Sequence, residues 1–161
     1  MSIVRRVYDA MLATVRVAVI GLFLVLVASV FFQVVARYVF HAPPFWTEEL
    51  ARFTLIWITF IGAALVHHHG EHIAVTGLRD GLPKRFQALL DVFISVLVLA
   101  VLAVFAKAGY TIALLGTQNA PALGISMRYV YGALLVGTVL MIAITVFKLI
   151  AQFSLLVRGR Q

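Results

Sequence analysis

Four long apolar stretches without a single charged side chain recur along this chain and leave it few ways to fold. They are 17–36 (20 residues), 53–66 (14), 92–106 (15) and 129–147 (19). An α-helix needs about 20 apolar residues to cross the hydrocarbon of a bilayer. The first and last runs suffice alone. The second reaches 23 positions over 47–69, and the third reaches 30 over 86–115 if Lys107 snorkels to the outer interface. At ~1.5 Å per residue the third helix is about 45 Å long and has to tilt or project. Composition agrees: 63% hydrophobic residues, 12% charged residues and a mean hydropathy of +1.07 lie far from soluble domains. The expected fold is therefore an all-α integral membrane protein with four transmembrane helices, near 17–38, 47–69, 86–115 and 128–150, in one membrane domain spanning 1–161.

Basic residues orient it. Arg5, Arg6, Arg16, Arg79, Lys84, Arg85, Lys148, Arg158 and Arg160 fall on one side, against Arg37, Arg52, Lys107 and Arg128 on the other. The nine-to-four excess in short loops places both termini in the cytoplasm. The net charge of +7 then reports topology and attraction to anionic lipid, and no nucleic-acid surface is called for. The N-terminal region reads as an uncleaved first helix, because its apolar stretch is too long for a secretory signal. With no cysteine there is neither a disulfide scaffold nor thiolate chemistry.

The spans lack a transport site. An ionisable residue deep in the bilayer marks a substrate or proton path by default. Here the polar side chains within the runs include Ser29, Gln33, Ser95, Thr138 and Thr145, all of which backbone carbonyls or a neighbouring helix can satisfy. Trp57 stands near mid-membrane, away from the interfacial belts that tryptophan prefers, so either a partner helix or the four-helix unit itself covers it. Ala133 and Gly137 form a small-xxx-small pair that allows close backbone approach. The cluster His67, His68, His69 and His72, beside Glu71, competes as a source of chemistry. His68 and His72 are four apart and form the weak metal or haem alternative. Gly70 interrupts the run and the other helices hold no histidine, so a solvated interfacial cluster is expected, with pH-sensitive contacts to lipid or a partner as a further option and no metal or cofactor in this chain.

Most of the remaining chemistry sits in 37–53, RYVFHAPPFWTEELARF. Pro43 and Pro44 stop the first helix, Phe45 and Trp46 suit the headgroup boundary, and Thr47 is placed to cap the second helix. Glu48 and Glu49 then occupy its first turn, where the helix dipole favours carboxylates, with Arg52 within one turn of both. They serve either as a capped helix start or as a docking surface at the outer face.

In this order, RYVF, P-x-x-W-x-E-E-x-A-R, I-G-A-A-L, G-E-H-I, G-L-P-K-R and A-P-A-L-G-I-S-M-R-Y-V-Y-G, the residues resemble the small membrane subunit of tripartite ATP-independent periplasmic (TRAP) transporters, the DctQ-like family. The resemblance covers roughly 17–147. It makes Arg37, Tyr38, Trp46, Glu48, Glu49, Arg52, Gly62, His72 and Pro83 family-typical positions; Pro43-Pro44 and the triplet His67 to His69 depart from the pattern. It implies a non-catalytic subunit in a bacterial inner membrane. Its partners would be a large multi-helix membrane subunit that carries substrate and sodium, and a periplasmic substrate-binding protein that captures an organic acid. Partner contacts are then expected at Arg37, Tyr38, Trp46, Glu48, Glu49, Arg52, Trp57 and Gly62, and a short interfacial helix can precede the second span. Two readings from other classes remain: a haem-binding four-helix anchor of a redox complex, and a self-contained small exporter.

Overall fold

The computed structural model describes residues 2–42, 44–69 and 83–158. Among them the chain forms four long helices: α1 Ser2–Tyr38, α2 Phe45–His69, α3 Lys84–Leu115 and α4 Met127–Arg158. Helices answer the central demand of a bilayer, where each backbone N–H and C=O must find its partner within the segment. All four are long and apolar enough to cross a membrane.

Their ends differ from those expected, for local reasons. α1 continues back to Ser2, because Arg16, Asp9 and Arg6 interrupt hydrophobicity without interrupting a helix. α2 begins at Phe45, directly after Pro44, whose missing N–H is no loss at a helix start. Thr47 is therefore not the cap: it is fully buried, and its Oγ1 donates to the Pro44 carbonyl at 2.7 Å. α2 is continuous from Phe45, with no separate interfacial helix before it among the described residues. α3 is 32 residues long, about 48 Å at 1.5 Å per residue. The Pro83 carbonyl opens it by accepting from Phe86 N and Gln87 N.

α1 packs on α2, α2 on α4, and α4 on α3, which gives the spatial order α1–α2–α4–α3. Small residues set the closest approaches. A Cβ on Gly137 would lie 2.5 Å from the Phe60 carbonyl oxygen of α2, so the α2–α4 contact requires glycine there. Ala133, one turn earlier on α4, is fully buried. Gly109 lets α3 approach Leu134 and Leu135 of α4, where its Cβ would come within 3.2 Å. Two apolar clusters complete the interior: Leu12, Ala64 and Ile144 toward one end, Phe53, Ala120 and Val130 toward the other.

Buried polar side chains within the helices are satisfied locally. Ser29 donates to Leu26 O, Thr54 to Leu50 O, Ser95 to Asp91 O, Thr138 to Leu134 O and Thr145 to Met141 O, all at 2.7–2.9 Å. Hydroxyls that bond back along their own helix hide their polarity from the apolar surroundings.

Candidate functional site

One end of the helices carries two turns, 39–44 between α1 and α2 and 116–126 between α3 and α4. After α1 the chain reverses at His41, which takes φ 54°, and Ala42 N donates to Ala36 O at 3.2 Å. Trp46 then reaches back over α1, its ring stacked on Phe32 with centroids 6.1 Å apart. Arg37 and Tyr38 are exposed at the end of α1.

The acids of α2 divide. Glu48 Oε1 and Arg52 form the expected ion pair at 3.0 Å, both side chains about two-thirds exposed. An exposed pair of this kind contributes only about 0.3–0.5 kcal/mol. Glu49 turns away from Arg52 and across to the α3–α4 connection. Its Oε2 accepts Ala122 N at 3.0 Å and Leu123 N at 2.7 Å. Hydrogen bonds to a charged acceptor are the stronger kind. Glu49 thus fastens to α2 a loop that nothing in the sequence links to it.

That loop, 116–126, is ordered by its own backbone. Ala120 N donates to Ile125 O, Met127 N donates to Gln118 O, and Asn119 pairs with Ser126. Gly124 takes φ 67°, the left-handed conformation that favours glycine, and its N–H closes on Ala120 O at 2.8 Å. Beneath it Ala120, 2% exposed, packs with Phe53 of α2 and Val130 of α4. The segment A-P-A-L-G-I-S-M-R is therefore a folded lid over the helix ends.

At the opposite end two of the histidines correct the expectation of a solvated cluster. His67 and His68 are half-buried and bonded to other helices. His67 Nε2 lies 2.7 Å from Thr145 Oγ1 of α4, and His68 Nδ1 lies 2.7 Å from the Tyr8 hydroxyl of α1. Because Thr145 gives its single hydroxyl proton to Met141 O, the network assigns the proton in the first bond to Nε2. Tyr8 also stacks on Phe147 of α4, centroids 3.9 Å apart and rings 7° from parallel. Lys148 Nζ donates to the carbonyls of His67 (3.1 Å) and His68 (2.9 Å). A cation there satisfies end carbonyls and suits the negative end of the α2 dipole. His67 and His68 form a joint between helices, while the side chain of His69 lies outside what the structure describes. Nothing in one sequence marks Tyr8 or Lys148 as partners of His67 and His68.

Of the remaining candidates, Trp57 is half-buried, and a Cβ on Gly62 would meet nothing within 4 Å of this chain. His72 lies outside the described residues, as does Glu71. Among the described residues no three His, Cys, Asp or Glu side chains converge as a metal site would require.

Comparison with known proteins supplies the family. The profile of the tripartite ATP-independent periplasmic transporters, DctQ component, matches residues 26–155. A Haemophilus influenzae protein assigned as a TRAP transporter small permease is 31% identical over 131 residues, 81% of each chain. The sialic acid TRAP transporter small permease protein SiaQ of Vibrio cholerae is 28% identical over 131 residues, 79% of this chain and 74% of its own. The sialic acid TRAP transporter permease protein SiaT of another Haemophilus influenzae strain is 27% identical over 121 residues; that match takes up 74% of this chain but 20% of the longer protein. In SiaT the counterpart of this chain is thus joined to a much larger permease sequence. With four membrane-crossing helices and a profile match over most of its length, the chain is a multi-pass membrane protein that belongs to the DctQ family of small TRAP transporter permease subunits.

Proposed function

We propose that this chain is the non-catalytic small subunit of a sodium-coupled TRAP transporter that takes up an organic acid through a bacterial inner membrane. It braces a large multi-helix membrane subunit, which carries substrate and sodium, and its outer face helps receive a periplasmic substrate-binding protein. Both termini lie in the cytoplasm in this reading, which the nine-to-four distribution of basic residues supports. The chain needs no cofactor of its own.

The observation that carries this reading is the pairing of locally satisfied polar groups inside with unpartnered apolar faces outside. The buried hydroxyls of the spans bond to their own helices, so they offer no hydrogen-bonding path for a solute. The outer faces of α1 and α3 meanwhile expose large apolar side chains, Phe23, Phe31, Phe93 and Val104 among them. Relatives that carry a small-permease region within a longer permease support a large membrane partner. Sialic acid, named for two relatives, is an organic acid and supports that substrate class.

Co-expression with the large subunit encoded beside it tests the assignment. The two chains are expected to purify as one complex, and uptake in vesicles is expected to require both. A chain that stays monodisperse and alone, or that transports by itself, sinks the reading. A reduced-haem absorption band in the purified chain would favour the redox-anchor alternative.

A further inference from the structure

The heights at which the helices touch disagree with the heights of their apolar runs. Gly109 of α3 meets Leu134 and Leu135 of α4, which puts Lys107 level with Gly137, and Gly137 lies against Phe60 of α2. On the other side Leu12 of α1 packs with Ala64 of α2. Arg16 is one turn beyond Leu12 in an antiparallel helix, so it also stands level with Phe60. Arg16 and Lys107 are both exposed, at one height, on the two end helices of the row.

From that common height the charge-free runs depart in opposite directions. The run 17–36 climbs from Arg16 toward the outer end, and the run 92–106 descends from Lys107 toward the inner end. In an upright bundle the two runs together would occupy about 50 Å of depth, at ~1.5 Å per residue. The hydrocarbon is only about 30 Å thick. The helices between fall in sequence. The inner limits are Arg16 on α1, then His67 and Lys148, then Asp91, which lies 18 residues inward of Gly109 and so deeper than Lys148. On the outer side Arg37 stands furthest out, Arg52 and Arg128 are intermediate, and Lys107 is lowest. Both limits shift the same way across the row.

We propose that the bilayer crosses this row of helices obliquely, so that Arg16 meets the phosphate headgroups of one leaflet and Lys107 those of the other. The apolar faces of α1 and α3 then lie within the membrane, against lipid or a membrane partner, in opposite halves of the molecule. The first turns of α1, up to Arg16, project beyond the hydrocarbon on one side. The last two turns of α3, from Lys107 to Leu115, project on the other with the loop 116–126. A cation held at the centre of the hydrocarbon costs several kcal/mol or drags water inward, whereas the oblique belt leaves both cations at headgroup level. The inference rests on contacts and charge placement within this chain and stands apart from the transport role.

The absence of cysteine makes the test direct. Thr14, Thr59, Tyr110 and Val139 are all exposed and lie within about a turn and a half of one height. Each is replaced singly by cysteine in the full chain, in sealed membrane vesicles of both orientations, and treated with a membrane-impermeant maleimide. Labelling after solubilisation in dodecyl sulfate shows that each thiol is present. Thr14→Cys is expected to react from one side and Tyr110→Cys from the other, each at least about tenfold faster than Thr59→Cys or Val139→Cys, which sit in hydrocarbon. Equal protection of all four, or reaction of Thr14→Cys and Tyr110→Cys from the same side, overturns the inference.

Discussion

Glu48 and Glu49 are adjacent and chemically alike, yet one points to solvent and the other holds a loop. The helix separates them by about 100° of rotation, enough to send one carboxylate to Arg52 and the other to the Ala122 and Leu123 amides. Glu49→Ala is expected to speed hydrogen exchange at those two amides, since they lose a charged acceptor that typically stabilises by roughly 1.5–3 kcal/mol, less where water substitutes at this half-exposed site. Glu48→Ala is expected to leave the loop's exchange unchanged. For uptake, Glu48→Lys reports on the exposed surface at the start of α2 alone, while Glu49→Lys also releases the loop. Impaired uptake by Glu48→Lys with normal membrane insertion is the outcome expected of a docking surface; normal uptake would reduce Glu48 to a helix-start charge. At the opposite end of the helices Tyr8→Phe keeps the stack on Phe147 and loses only the bond to His68, so it is expected to destabilise less than Tyr8→Ala in thermal unfolding.

Between helices, glycine rather than charge sets the spacing. Gly137→Ala places a methyl group 2.5 Å from a backbone oxygen that cannot rotate away, so α2 and α4 must part. The expected cost is about 1–3 kcal/mol, the usual range for overpacking, measured as a fall in unfolding midpoint in detergent. Gly132→Ala is the control, because its Cβ meets nothing within 4 Å, and alanine favours the helix by up to about 1 kcal/mol. Gly62→Ala should likewise leave the isolated chain as stable as before. If a partner helix seats on that face, as the family position implies, the same substitution weakens the complex. Co-purification yield of the Gly62→Ala variant with the large subunit separates the two effects.

At the scale of the molecule, the order α1–α2–α4–α3 leaves the end helices supported mainly from one side. α1 leans on α2 and reaches α4 through Tyr8, and α3 leans on α4. Cysteines at Leu12 and Ala64, which pack in one cluster, are expected to join as a disulfide on mild oxidation, whereas pairs between the middles of α1 and α3 are not. Cross-linking of α1 to α3 would show a closed bundle instead. The open row has a functional counterpart in the proposed role: a brace needs a broad apolar side to offer a partner.

The apolar runs made four helices unavoidable, because a backbone in hydrocarbon must satisfy itself and only a helix does so within one segment. The order of short motifs along the chain was enough to place it in its family. Local chemistry also foretold the ion pair of Glu48 with Arg52, since residues four apart on a helix are neighbours whatever the rest of the fold does. What the sequence left undetermined were partnerships across long separations: Glu49 with Leu123, His67 with Thr145, Tyr8 with His68, and Lys148 with the end of α2. Each depends on which helices are adjacent and at what height, and that was decided by where glycine and alanine let backbones approach. By sequence Thr47 reads as a cap and His67 and His68 as solvated, because a single chain records the composition of a face but not what is packed against it.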